Sequence, residues 1–408
     1  MFAAAGCSVS CLLSFDGLTG GESGVAGAAG SAGAAGSGGS SSGGSAGSQT
    51  GGSAGTVGGD GGTAGAAGSG GSAGTGGSAA GGTGGSSCDT AVCKCCSDAA
   101  GCTDPLEEKL GTSVGKSRGR VAAMGEVVYW TRQTASGSDA LMRRLPGGQP
   151  EVLVSANYPG AVVAADGWLA WSDSSGLFRC RADSCAASAT RFISALDVSE
   201  RQVLALHDGK LYWLVGTGDL GRRLVRCDLA SCSTGSEQII SNDRDSVRGI
   251  AANSSHVYWT EEGGAIFRLP LGTSSDAPAP FLSGRDHPSS VLVTETQLFW
   301  SEEGDPGNVY SCDLTSCTPK SIAPNTTLQH PIRAPAGLAS DGERIYWTNL
   351  LDDSVMSCPL PGCSGAEVPD LLATGQVNPN GIAVGDSCAI WHGNKDGDGA
   401  VWAAPKRP

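Results

Sequence analysis

Seven copies of one short pattern, each centred on a tryptophan, govern what this chain can fold into. They are Tyr129-Trp130-Thr131, Ala170-Trp171-Ser172, Tyr212-Trp213-Leu214, Tyr258-Trp259-Thr260, Phe299-Trp300-Ser301, Tyr346-Trp347-Thr348 and Ile390-Trp391-His392. Successive tryptophans stand 41, 42, 46, 41, 47 and 44 residues apart. A period in the forties is that of propeller blades and is too long for ankyrin or leucine-rich repeats.

The fourth and sixth copies show the whole unit. Arg248–Ala252 and Gly337–Ser340 read as short inner strands, each followed by a polar turn and a second strand, His256–Thr260 or Arg344–Thr348. An acidic loop leads to a third strand, Ala265–Leu269 or Ser354–Cys358, and Pro280–Ser283 or Asp370–Ala373 supplies a fourth. Neighbouring residues of a strand point to opposite faces, so the Tyr and the Trp of a copy both need burial. Blades stacked on both sides provide it. The expected fold is all-β: a seven-bladed β-propeller, with six or eight blades as alternatives. The seventh copy shows no fourth strand after Ala400-Val401-Trp402. Residues 106–117, just ahead of the first inner strand, are the expected donor, because closing the ring removes an open sheet edge.

With its Gly249-Ile250-Ala251 inner strand and Tyr-Trp-Thr second strand, the repeat resembles the YWTD-type propellers. The resemblance covers about residues 121–408 and implies a fold more than a function. It departs at the fourth motif position, which is Arg132, Glu261 or Asn349 rather than Asp in the three Tyr-Trp-Thr copies. It departs also in having seven repeats where that family usually has six.

Four segments are expected: a truncated signal-like leader over 1–18, a disordered linker over 19–87, a Cys-rich segment over 88–105 and the propeller over 106–408. The linker is almost wholly Gly, Ser, Ala and Thr and cannot bury enough surface to offset the ordering of its backbone. Ala4-Ala5-Gly6-Cys7 resembles a bacterial lipobox with Cys7 as the lipid-bearing residue, although the charged start of a signal peptide is missing before it. Cys11 is a poorer second candidate.

Formal charge is −14. Most of it follows Gly119, which argues against nucleic acid and anionic lipid headgroups as partners and for a cation or a basic protein. No apolar run approaches the roughly 18 residues that span a bilayer, so membrane contact is expected only through an N-terminal lipid anchor.

Sixteen cysteines beside five histidines point to an oxidising compartment. Four repeats carry Cys-x4-Cys where the third strand turns into the fourth: Cys180/Cys185, Cys227/Cys232, Cys312/Cys317 and Cys358/Cys363. Two strand ends facing across a tight turn suit a disulfide, whereas pairs spread around a ring cannot converge on one metal. Cys88, Cys93, Cys95, Cys96 and Cys102 form either a disulfide knot or a thiolate site. Cys388 brings that set to an even number, which favours a knot tied to the propeller.

Several motifs lose their chemistry in this setting. Gly111-Thr112-Ser113-Val114-Gly115 matches a serine-hydrolase elbow, and Gly115-Lys116-Ser117 imitates a phosphate loop, but both need a following helix and an all-β repeat follows instead. His207, His256, His287, His330 and His392 form no metal spacing. Asn394-Lys395-Asp396-Gly397-Asp398-Gly399 resembles the first half of a calcium loop, with Pro405 where the glutamate belongs. A plain Asp-Gly hairpin is the preferred reading, and no cofactor or metal is expected, calcium being the alternative.

The collective signal is acidic. The loops between second and third strands carry Asp139, Asp173, Asp219, Glu261, Glu262, Glu302, Glu303, Asp305, Asp352, Asp353, Asp396 and Asp398, and in a propeller these loops share one end of the ring. The expectation is a monomeric, non-catalytic binding or scaffold protein of the cell envelope that offers this face to a basic protein or cation. The alternative is a metal-dependent propeller hydrolase or lyase working in the central channel.

Overall fold

A computed structural model of the chain describes residues 107–112, 121–134, 137–194, 203–216, 222–242, 244, 246–323, 330–363, 368–395 and 399–406. Cys7, the linker, the cysteines from Cys88 to Cys102, Asp219, Asp396 and Asp398 lie outside these residues. The remainder forms seven four-stranded antiparallel sheets. Blades 1 to 6 span 121–155, 162–194, 204–241, 247–282, 288–321 and 335–373, each meandering from inner to outer strand. Blade 7 takes three strands from 380–405 and its outer strand from Glu108–Thr112. Inner strands of successive blades touch all the way round, blade 7 meeting blade 1.

The closing strand pairs Lys109 with Trp402 and Thr112 with Ala400. Gly111 makes this possible, because a β-carbon there would stand 2.6 Å from Cζ2 of Trp130 in blade 1.

The repeat acts through register. Each motif tryptophan faces a branched aliphatic residue of the inner strand, for example Val121, Ile250, Val291 or Leu338. On the other side it faces a large apolar residue of the third strand, including Met142, Phe178, Phe267, Tyr310 and Trp402. Trp171, Trp259 and Trp300 stack on these partners at centroid distances of 5.4, 5.3 and 5.5 Å. All seven tryptophans are fully buried, and truncating a residue of this kind costs about 3–5 kcal/mol.

The residue before each tryptophan points to the opposite face and packs forward. Tyr129 shares an apolar cluster with Trp171, Tyr212 with Trp259, Tyr346 with Trp391, and Ile390 of blade 7 with Trp130 of blade 1. The dipeptide thus serves two interfaces at once, which is why it recurs in every blade.

Candidate functional site

The loops at one end of the ring are tied together by repeated bonds. The N–H three residues after the tryptophan donates to the connection entering the same blade: Ser174 to Asn157, Glu262 to Ser246, Glu303 to His287, Leu350 to Ala334 and Asn394 to Gln376, at 2.8–3.2 Å. Ser246, His287 and Ala334 hold φ of +54, +48 and +46°, a region non-glycine residues seldom adopt. The motif hydroxyl extends the lattice. Thr131 and Thr260 donate to the carbonyls of Gly160 and Ser289 in the next blade, while the hydroxyls of Ser172, Ser301 and Thr348 accept from Ala161, Ser290 and Gly337 of their own blades.

Most of the acids on this end serve that lattice. Asp139 accepts from the amides of Thr134 and Tyr158, and Asp173 from Asn157 and Ser175. Glu261 accepts the indole N–H of Trp259 at 3.0 Å and faces Arg244, and Glu302 accepts that of Trp300 at 2.9 Å and faces Arg285. Glu262 pairs with Arg248 at 2.8 Å, Asp305 with Arg333 through both carboxylate oxygens, and Asp352 lies 3.3 Å from His330 Nδ1. Asp353 accepts from the amide of Asn378.

Glu303 is different. Its Oε1 is buried and has no hydrogen-bond partner, with fully buried Ser289 beside the carboxyl. Burial pushes the Glu303 carboxyl above the usual glutamate value, with Glu262 adding to the rise, while Arg248, Ser289 and His287 oppose it. Arg248 and Ser289 are equivalent residues, each two before the inner-strand residue that faces its blade's tryptophan. Both sit at β-bulges, at Val247/Gly249 and Pro288/Val291, and blades 6 and 7 bulge at the same level. Bulges re-aim side chains and cluster near functional sites. Asn380 takes the same position in blade 7, and its Oδ1 and that of Asn394 are buried without a partner. A period-2 reading of the inner strands misses these residues. The signal that finds them is the offset from the tryptophan's partner.

At the other end, the four Cys-x4-Cys pairs are disulfides within their own blades. Cys180–Cys185, Cys227–Cys232, Cys312–Cys317 and Cys358–Cys363 have Cα separations of 4.8, 5.5, 4.9 and 5.4 Å. Their setting corrects the expectation of two strand ends facing across a turn. Cys180, Cys227, Cys312 and Cys358 do lie on third strands, but the second cysteine of every pair precedes the fourth strand instead of belonging to it. Cys185 opens a single helical turn, Cys185–Ser188, while Cys232, Cys317 and Cys363 sit in irregular backbone. The reason is chain length: a sequence separation of 5 is used up by the turn itself, so the chain doubles back before the outer strand can begin. Cys185, Cys232 and Cys363 are buried by this return, 1–2% exposed, so these bridges pin the turn and present no sulfur to a ligand.

The bridges place the fold in an oxidising or extracellular setting. Cys388 is also disulfide-bonded. Among the described residues no group of three or more His, Cys, Asp or Glu is placed to hold a metal ion, and no helix is long and apolar enough to cross a membrane.

No protein-family model and no curated protein matches the chain. Solved structures do. A streptogramin B lyase shares 12% identity over 73% of this chain and 96% of its own, with a TM-score of 0.55. A mutant puromycin hydrolase complexed with PGG shares 15% over 69% of this chain and 51% of its own, at 0.50. A nidogen/laminin complex shares 14% over 57% of this chain and 88% of its own, at 0.45. The lyase and hydrolase likenesses agree with the β-propeller that the seven sheets define.

The expectation of a protein without catalysis is corrected, since the solved structures that share the fold include a lyase and a hydrolase, at 12% and 15% identity. Physically, that expectation assumed inner-strand entrances of small aliphatic residues. The bulges instead place Arg248, Ser289 and Asn380 there, and Glu303 joins them.

Proposed function

We propose that the chain is a ligand-binding propeller of the cell envelope whose loop face takes the cationic group of a basic partner in the sector of blades 4 and 5. One observation carries this reading. The neighbouring acids each have their buried oxygens matched by a base or an indole N–H, whereas Glu303, with Ser289 and Arg248 beside it, keeps a buried Oε1 without a donor. A buried acceptor left unmatched costs about 1–3 kcal/mol, which a ligand's N–H group would recover on binding. In this reading Cys7 is acylated and residues 19–87 are the tether.

The test is calorimetric titration of the full chain with a hexalysine peptide at low and moderate salt. Binding that weakens with salt and is lost in Glu303→Gln supports the reading, and equal heats from both proteins refute it. A second reading is favoured by the raised affinity of Glu303 for its proton, which suits a general acid or base. Turnover of a substrate abolished in Glu303→Gln would select it.

A further inference from the structure

On the turn side, away from the loop face, the repeat has a second regularity. The third-strand residue opposite the first motif position is arginine in blades 1 to 4: Arg143, Arg179, Arg226 and Arg268. Two of these reach across the groove to the next blade. Arg179 lies 5.1 Å over the ring of Phe192 and donates to the carbonyl of Leu229 in blade 3. Arg268 lies 4.0 Å over Phe281 and donates at 3.4 Å to the carbonyl of Leu314 in blade 5. Arg143 and Arg226 turn onto Glu151 and Gln238 of their own outer strands. In blade 6 the position is Ser357, and Arg344 of the second strand covers it, bonding Ser357 and Asp370.

Blade 5 departs from this pattern. Its equivalent residue is Ser311, and Ile322 stands in the outer-strand position of Phe192 and Phe281. The groove between blades 5 and 6 is open, with a volume of about 510 Å³, and is lined by Ser311, Asp313, Lys320, Ile322 and the blade 6 turn at Pro361 and Gly362. The groove between blades 3 and 4, where Arg226 turns away onto Gln238, is open to a similar extent, about 550 Å³. That size falls within the roughly 300–1,000 Å³ of ligand pockets. The far wall keeps the turn of the other grooves. Leu360 follows Cys358 by two residues, as Leu229 follows Cys227 and Leu314 follows Cys312. Its N–H bonds back to the preceding turn at Glu343, as those of Leu229 and Leu314 do to Gly209 and Thr296.

We propose that the groove between blades 5 and 6 receives an arginine side chain from a partner polypeptide. The occupant is the one the chain itself places in two equivalent grooves. Asp313 on the rim supplies a carboxylate, and Ser311 leaves the space. A planar fork of donors fits such a slot better than the point charge of lysine. The site is independent of Glu303.

Fluorescence anisotropy on the full chain tests it, with a labelled Gly-Gly-Arg-Gly-Gly peptide against its lysine and citrulline counterparts. The arginine peptide should bind, and the others should bind about tenfold more weakly, because neither combines the charge with the fork. Ser311→Arg should fill the groove from within, raise the melting temperature and abolish binding. Asp313→Asn, an exposed change that leaves the fold intact, should weaken binding severalfold. No binding of the arginine peptide, equal binding of all three peptides, or unchanged binding by both variants overturns the proposal. Binding kept in Ser311→Arg but lost in Glu303→Gln belongs to the loop face and overturns it as well.

Discussion

Trp391 donates its indole N–H to Gln376 Oε1 at 2.8 Å, tying the motif tryptophan of blade 7 to the connection that enters its inner strand. The amide nitrogen of Gln376 donates in turn to Glu107, which also pairs with Lys395. One buried glutamine therefore links blade 7 to the residue that precedes the closing strand. Replacing it by leucine keeps the volume but strands the indole N–H and a carboxylate oxygen. Gln376→Leu should lower unfolding free energy by about 2–3 kcal/mol, read from urea denaturation, since each buried polar group left unmatched costs about 1–3 kcal/mol. An unchanged midpoint would deny the latch.

The closing strand makes a sharper demand at Gly111. A β-carbon there meets the fully buried ring of Trp130, which has no room to retreat. Gly111→Ala should cost about 1–3 kcal/mol, as overpacking does. Hydrogen exchange of the amides of Ala400–Ala403 should speed up first. Loss of protection spread evenly over all blades would show that the strand is no weaker than its neighbours.

Removing one small disulfide should be mild. Cys312→Ser with Cys317→Ser opens a loop closed over a sequence separation of 5, for which chain entropy suggests about 2 kcal/mol. The variant should stay folded and melt lower. Complete loss of the folded state would give the bridge a larger role than loop closure.

Glu303 sets a pH dependence with a definite sign. Its carboxyl takes up a proton more readily in the folded ring than in the unfolded chain, whose ordinary value is 4.5. The folded state binds more protons between those two values, so this group's contribution falls as pH rises through the window and is least favourable once both states are ionised. Glu303→Gln should raise the melting temperature at neutral pH, and the gain should vanish at pH values below the unfolded one. A gain that is constant with pH would point to packing rather than charge.

The ring itself was legible in the sequence because its constraint repeats. A Tyr-Trp pair must serve two interfaces in every blade, and no other period places Tyr129 against Trp171 and Ile390 against Trp130. The need for a donor strand ahead of the first blade was legible for the same reason. Cysteine spacing named the bridges but not their setting, because spacing does not tell where a strand ends: Cys185, Cys232 and Cys363 lie in the turn, short of the outer strand. The site was legible only as a face. Glu302 and Glu303 are adjacent and chemically alike, yet one is held by Trp300 and Arg285 and the other keeps a buried oxygen without a donor. That distinction depends on a bulge between Pro288 and Val291, which has no signature in strand alternation. Serine at 311 was equally silent until arginines of other blades showed what it replaces.

The strand Glu108–Thr112 pairs with Ala400–Pro405, almost three hundred residues further along the chain. A polypeptide that emerges from a ribosome or a secretion pore N-terminus first must hold this segment in waiting while six and three-quarter blades assemble behind it. Closing so long a loop adds little free energy per residue but delays folding. The last strand to be made is thus covered by the first, and until that moment blade 7 offers its open side to any other strand nearby.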